Sequence, residues 1–358
     1  MSMKVLVTGS EGYIGAVLAP MMLEHGFDVV GLDTGFYREG WLYNPGRPVL
    51  PSCLCKDIRQ VTPADLDGFE AVVHLAELSN DPLAQRDPAV TFRINHLGSV
   101  HLAQQCRAAG VPRFVYTSSC SVYGIGTGDS KTEESELNPQ TAYAECKVRV
   151  ERDVGAMAGP DFSPTFLRNA TAYGPSPRMR FDLVLNNLSG LAWTTREIRM
   201  TSDGTPWRPL VHVEDIARAI IATLRAPREA VHAQVMNVGD SAANYQIRDV
   251  AEIVGRSFPG CSVSFGRLEG DTRSYRVGFD KIRRVLPAFR CEHDSVSGAE
   301  QLARLFRRID VTPEIFGARP FTRLKQLDYL TRTGQIDAEC FWTDAEVASL
   351  QAAERATG

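Results

Sequence analysis

Lys4-Val5-Leu6-Val7-Thr8-Gly9-Ser10-Glu11-Gly12-Tyr13-Ile14-Gly15 decides the fold class of this chain. The apolar run before Gly9 has the length of one buried strand. Glycines then recur at every third position, and Val17, Leu18, Met21, Met22 and Leu23 follow with helical spacing. Strand, glycine turn and helix are the parts of a dinucleotide site. Gly9 makes the tight turn, Gly12 lets the backbone approach a pyrophosphate, and Gly15 lets the helix pack close to the strand. The helix N-terminus then faces the anion, with Tyr13 and Ile14 in the same turn. An ordinary strand–helix turn is the plain alternative; a strand before and a helix after favour the binding site.

Working outward, the second strand, Asp28–Leu32, runs into Asp33, which lies 18 residues beyond Gly15. A carboxylate there suits ribose hydroxyls and repels a 2′-phosphate, so the expected cofactor is NAD rather than NADP, although Arg38 is nearby. Gly35–Pro51 reads as a loop, followed by a short strand ending in Asp57-Ile58-Arg59. Thr62-Pro63-Ala64-Asp65 reads as a helix cap with proline in the first turn. Ala71–Ala76 is apolar without alternation, as a buried parallel strand should be. His74 within it reads as a packed, hydrogen-bonded residue rather than a base. Glu77–Pro82 forms a loop at the strand's carboxyl end, where doubly wound sheets bind ligands. One helix is expected over Pro88–Ala109, carrying Asn95. Phe114–Thr117 is the fifth strand and delivers Ser119, and Ser163–Arg168 is the sixth.

Tyr143 and Lys147 follow Ser119 by 24 and 28 residues. At four apart on a helix they share a face. An ammonium near a phenol favours the phenolate and pulls its pKa down from about 10. A hydroxyl from a strand end can share the proton. This is apparatus for moving a proton on and off an alcohol oxygen. On its own the spacing is equally that of a surface pair on an amphipathic helix; the company it keeps favours chemistry.

The chain has 358 residues, 44% of them hydrophobic, and a net charge of −4. One large α/β domain with an appended lobe is the expectation. The lack of a basic block argues against nucleic acid as partner. No apolar stretch approaches the ~18 residues of a membrane span, and no signal-peptide core stands at the start. The 8 cysteines are scattered and complete no zinc pattern, so no metal is expected and reduced thiols in a cytoplasm are the simplest account.

Further motifs occur in order: Asp57-Ile58, His74-Leu75-Ala76, Ser118-Ser119, Val122-Tyr123-Gly124, Tyr143-x-x-x-Lys147, Leu167-Arg168, Tyr173-Gly174-Pro175, Asp203-Gly204, Arg208-Pro209-Leu210-Val211-His212-Val213-Glu214-Asp215 and Asn237-Val238-Gly239. With the glycine turn, this set resembles the extended short-chain dehydrogenase/reductase family, in its NAD-dependent nucleotide-sugar epimerase/dehydratase branch. The resemblance spans residues 3 to about 290; beyond about 295 no motif carries over. It implies that Tyr143 is the acid/base at a sugar oxygen, that Lys147 lowers its pKa and holds the nicotinamide ribose, and that Ser119 hydrogen-bonds the same oxygen. It puts Asp57 and Ile58 at the adenine, Asn169 near the nicotinamide, and Leu75, Ala76 and Asn95 in the cofactor site. It gives Asn187 and Arg208 the substrate pyrophosphate, with Arg273 favoured over Arg276 or Arg267 as a second arginine in Asp271–Arg276. Bidentate guanidinium–phosphate contact is the physical reason for arginine there.

Four positions depart from the pattern. Cys120 and Ser121, on the substrate side, stand where 4,6-dehydratases of the family carry an Asp–Glu pair. Thr171 replaces an asparagine of hexose 4-epimerases. Glu77 stands where small residues are usual.

The resemblance implies a Rossmann-type doubly wound parallel sheet of about seven strands, with a smaller mixed C-terminal substrate lobe. Residues 1–173 form the NAD domain, rejoined by return segments within 210–239. Residues 174–209 and 240–358 form the lobe and a C-terminal extension. A homodimer through the helices bearing Asn95 and Tyr143 is implied as well. The expected activity is epimerisation of a nucleotide-diphosphate sugar, at C4, through a transient 4-keto sugar. A 4-ketosugar reductase is the alternative, and an NAD-sensing protein without chemistry a remote one.

Overall fold

Val5, Leu6 and Val7 of the first strand, β1 (Lys4–Thr8), are wholly buried, and they divide between two cores. Val5 and Val7 join Val17, Leu18 and Met22 of the helix Gly15–Glu24, while Leu6 joins Leu102, Cys106 and Phe114 on the other side. The pleat sends successive side chains to opposite faces, and both faces are covered. That is why the strand reads as an unbroken apolar run. β2 (Asp28–Asp33), β3 (Ser52–Cys55), β4 (Ala71–His74) and β5 (Arg113–Ser119) follow.

This computed structural model describes residues 2–44, 46, 51–79, 85–267 and 273–343. The parts of the Gly35–Pro51 loop, the Glu77–Pro82 loop, Asp271–Arg276 and the C-terminal extension that fall elsewhere lie outside the described residues.

The main sheet has seven strands, all parallel, in the order Val235–Val238, Ser163–Asn169, β5, β4, β1, β2, β3. The chain leaves β1 toward β3 and then crosses back to β4. The carboxyl ends of β1 and β4 therefore border a topological switch point, where a crevice opens. Thr8, Asp33, His74, Ser119 and Asn169 all end their strands at this edge. Smaller sheets pair Thr171–Tyr173 with Trp207–His212 and Asn244–Gln246, Ile125–Lys131 with Ser274–Val277, and Glu197–Arg199 with Ser262–Ser264.

Local expectations and structure differ in four places. The strand expected to end at Asp57–Arg59 is β3, and it stops at Cys55; Asp57 instead caps a 3₁₀ turn, Ile58–Gln60, by accepting from the Arg59 N–H at 2.8 Å. β4 ends at His74, two residues short of Ala76. The helix expected over Pro88–Ala109 is interrupted by a π-helical segment, Phe92–Gly98. The widened turn aims Asn95 at Leu78, whose N–H and carbonyl it clasps at 2.8 and 3.0 Å. Finally, of the return segments within 210–239, only Val235–Val238 joins the main sheet as a strand; Leu210–His212 pairs with Thr171–Tyr173 in the smaller sheet, and the helix Val213–Arg225 packs on the main sheet, its Thr223 carbonyl accepting from Arg113 of β5 at 2.9 Å. The Thr62–Asp65 cap forms as expected: the Asp65 carboxylate accepts from the Thr62 N–H at 2.7 Å.

Several quoted motifs prove structural. Arg168 and Glu151 form a buried pair at 2.6 Å, to which Ser118 and Tyr123 hydrogen-bond. Tyr123 in turn donates to Asn237 at 2.7 Å. This network ties three strands and the helix Ala142–Gly155 together beneath the crevice.

Candidate active site

A cavity of about 640 Å³ runs along the carboxyl edge of the sheet. Its floor at one end is the glycine turn. Gly9 adopts φ +73°, and a Cβ there would sit 2.8 Å from the Ala76 nitrogen; one at Gly15 would run into the Gly9 carbonyl. The cradle therefore exists only with glycine at both positions. Asp33 accepts from the Glu11 and Gly35 N–H groups at 3.1 and 2.8 Å. Burial pushes its carboxyl pKa up, and these two hydrogen bonds oppose the rise. Asp57 and Ile58 line the same end, with the Asp57 carboxylate held at both oxygens by Arg59. The buried Asn169 amide oxygen lines the cavity without a hydrogen-bond partner among the described residues. A glycine cradle at a helix N-terminus, a carboxylate at the end of β2 and an unsatisfied amide oxygen fit a dinucleotide laid across the sheet edge.

At the other end, Ser119, Ser121, Tyr143 and Lys147 line the cavity. Thr141 caps the helix Ala142–Gly155 by accepting from the Ala144 N–H at 3.2 Å, and so fixes where Tyr143 emerges. The Lys147 ammonium lies 5.3 Å from the centre of the Tyr143 ring and donates to the Thr117 carbonyl at 2.5 Å. Ser119 accepts from the Ser121 N–H at 3.1 Å. Lys147 also forms a buried ion pair with Glu77 at 2.5 Å, and the Tyr116 hydroxyl donates to the other Glu77 oxygen at 2.5 Å. Burial pushes the Glu77 carboxyl pKa up, while Lys147 and Tyr116 pull it back. Desolvation and the adjacent carboxylate push Tyr116 well above the ordinary phenol range.

His74 is wholly buried. The Ser99 hydroxyl donates to the Asn95 carbonyl at 2.6 Å, so it accepts from His74 Nε2, and Nδ1 accepts from Thr8. Burial holds the ring neutral, with its pKa pulled down to about 3. It is a packed strand residue, as its sequence context suggests.

The cavity gathers every residue singled out from the sequence except two. Tyr13, Leu75, Ala76, Thr171, Asn187, Arg208 and Arg273 all line it. Asn95 does not; it stands behind the wall holding Leu78. Cys120 does not; its thiol donates to the Arg168 carbonyl at 3.2 Å, and burial pushes its pKa far up. Arg208 is nearly buried on a strand, where it donates to the Trp207 and Arg273 carbonyls. Asn187 donates to the Phe181 carbonyl at 2.9 Å. Sequence reading missed Tyr37, Arg180, Asp182 and Arg323, which also line the cavity. No local pattern marks them; Tyr37, Arg180 and Arg323 touch segments far away in the chain, and Asp182 is paired with Arg180.

Residues 5–239 match the model of the NAD dependent epimerase/dehydratase family. A UDP-glucose 4-epimerase of Corynebacterium glutamicum is 30% identical over 306 residues, which cover 79% of this chain and 90% of the relative. The human UDP-glucose 4-epimerase is 26% identical over 317 residues, or 76% of this chain and 87% of that one. Among solved structures, MoeE5 in complex with UDP-glucuronic acid and NAD superposes with a TM-score of 0.72 at 28% identity, covering 85% of this chain and 99% of MoeE5. The NDP-hexosamine 5,6-dehydratase TunA reaches a TM-score of 0.75 at 24% identity, over 87% of this chain and the whole of TunA, which speaks to the fold alone. With two thirds of its length inside the family match, and with a cavity whose cradle fits the family's dinucleotide, this chain belongs to the NAD dependent epimerase/dehydratase family.

Proposed function

We propose that the chain is an NAD-dependent epimerase that inverts C4 of a nucleoside-diphosphate sugar, with UDP as the nucleotide. The observation that carries the reading is the meeting of Ser119, Tyr143 and Lys147 in one cavity with the glycine cradle. NAD, when bound, supplies reversible hydride acceptance. The side chains do the rest. Tyr143 takes the proton of the C4 hydroxyl and gives it back, Lys147 biases the phenol toward phenolate, and Ser119 holds the same oxygen. Asn187, Arg208 and Arg273 grip the pyrophosphate, so that a 4-keto sugar can turn over without leaving. Gly9, Gly12, Tyr13, Ile14, Gly15, Asp33, Asp57, Ile58, Leu75, Ala76 and Asn169 hold the dinucleotide. In this reading residues 1–173 with Val235–Val238 form the NAD domain, and 174–209 with the described residues beyond 240 form the sugar lobe. The residues after Ser119 argue against 4,6-dehydration: Cys120 is turned away and Ser121 offers only a hydroxyl, not the two carboxylates such a reaction uses.

A homodimer through the helices near Asn95 and Tyr143 extends the reading; Leu97, 56% exposed beside Asn95, supports it. A cytoplasmic setting is supported by eight cysteines, all unbridged.

The test uses C4-deuterated UDP-glucose with catalytic NAD, followed by NMR. Epimerisation keeps deuterium at C4 of the product, with no NADH building up. Turnover that stops after one equivalent unless NADH and a 4-keto sugar are supplied means that the chain is a reductase.

A further inference from the structure

The chain beyond residue 295, which carries no family motif, returns to the dinucleotide end of the cavity. Leu327, Leu330 and Ile336 pack with Phe36, Leu78, Val90 and Ile94. Trp342 donates to the Thr34 carbonyl at 2.6 Å and Gln326 to the Phe36 carbonyl at 3.0 Å, just past the end of β2. Glu339 receives Arg93 at both carboxylate oxygens, and its carbonyl accepts from Arg59 at 2.9 Å. This clasp fixes the start of the helix Arg323–Arg332 at the cavity wall.

Arg323 opens that helix, is 3% exposed and lines the cavity. Its guanidinium lies 3.8 Å from the centre of the Tyr37 ring. Among the described residues it makes no ion pair and no hydrogen bond. Asp182 pairs with Arg180 at 2.8 Å and Asp33 accepts from two backbone N–H groups; both still lie close enough for their charge to favour the Arg323 cation. Burial pulls the Arg323 pKa down to about 10; Tyr37, Asp182 and Asp33 oppose the fall, and the charge of Arg180 adds to it. The position is also wrong for helix stability, since a cation at the first turn opposes the macrodipole. A buried cation without an ion-pair partner bears an uncompensated share of its desolvation cost. Such a cost persists where a ligand brings the anion. The glycine turn and the helix N-terminus, where a dinucleotide places its pyrophosphate, line the same cavity.

We propose that Arg323 is a cofactor ligand: its guanidinium pairs with the pyrophosphate of the bound dinucleotide, and residues 319–343 are part of the cofactor site. The assignment rests on NAD binding in this cavity and not on which sugar reaction follows.

Calorimetry on the full chain tests it, with NAD, ADP-ribose and adenosine as titrants. Arg323→Gln should weaken NAD and ADP-ribose at least tenfold and leave adenosine, which has no phosphate, within twofold. Arg323→Lys keeps the charge but loses the fork, and should fall between. NAD affinity within twofold of wild type in both variants overturns the assignment. So does an equal loss for adenosine, which marks a packing role. If Arg323→Gln does not fold, Arg323→Lys decides alone: weakened NAD with unchanged adenosine supports the contact, and unchanged NAD overturns it. Failure of the wild type to bind NAD would instead strike the cofactor assignment itself.

Discussion

Of the buried cations that line the cavity, Lys147 and Arg323 are treated differently by the chain. Lys147, beside Tyr143, has its anion built in: Glu77 lies 2.5 Å away and is itself held by Tyr116. Arg323, at the dinucleotide end, makes no ion pair among the described residues and has the face of Tyr37 and the more distant charges of Asp182 and Asp33. A cation whose partner is covalently part of the chain keeps its charge whether or not a ligand is present. A cation without an ion-pair partner gains one when an anionic ligand arrives. The first arrangement suits a group that must hold a fixed field over a proton-transferring phenol, the second a group that senses and grips an anion.

The largest expected effect tests whether the fixed field serves the phenol. Tyr143→Phe keeps the ring and removes the proton-carrying hydroxyl. Turnover should fall by about 10²–10⁴-fold, with NAD affinity within twofold of wild type by calorimetry. Retention of more than a tenth of wild-type turnover removes Tyr143 from the chemistry and Lys147 from its proposed task.

At the dinucleotide end, Asp33 closes β2 and should discriminate against further negative charge. NADP is expected to bind about 10–100-fold more weakly than NAD, a difference of about 1.4–2.8 kcal/mol. Equal dissociation constants would mean that Arg323 reaches a 2′-phosphate, and the contrast between the two ends would need redrawing.

Glu77→Gln removes the built-in anion while keeping the shape. The Lys147 charge then acts on Tyr143 uncompensated, and the phenol's pKa should drop. The acidic limb of the kcat/KM profile should move to lower pH by roughly one unit. A limb that stays in place or moves upward means that Glu77 does not set the field at the phenol.

The smallest effect comes from a buried base that carries no charge. His74 is held neutral in the fold, at about 3, against about 6.5 in an unfolded chain. The unfolded chain therefore binds one more proton between those values. His74 costs stability as pH falls below about 6.5, at up to ~1.4 kcal/mol per pH unit, until about 3. His212, also held near 3 by burial, adds a second such proton. Urea unfolding at pH 7 and pH 5 should show this slope, and His74→Asn should remove one proton from it. An unchanged slope in the variant means that His74 is protonated in the fold.

Most of the sheet was legible in the sequence, and so was most of the site. The turn at Gly9, Gly12 and Gly15, the cap at Thr62–Asp65, the unbroken apolar strands and the shared face of Tyr143 and Lys147 each depend on residues within one turn or one strand. Their causes, backbone freedom, capping and burial of both sheet faces, are local and repeat wherever the pattern does. The rest required the chain to be closed. Glu77 could be seen as a departure, but its partners lie 39 and 70 residues away, and no spacing announces an ion pair across two strands. The π-helical turn at Asn95 follows from the Leu78 backbone it clasps, not from the sequence around it. Within the return segments of 210–239, apolar strands look alike in either sheet; pairing put Val235–Val238 in the main sheet and Leu210–His212 beside Thr171–Tyr173. Arg323 sits in a segment with no motif, and it enters the cavity only because apolar side chains from residues 327 to 342 find Phe36, Leu78 and Ile94. Hydrophobic contact is non-directional and indifferent to sequence separation, so where such a segment docks, and which charge it buries there, is settled by the tertiary structure alone.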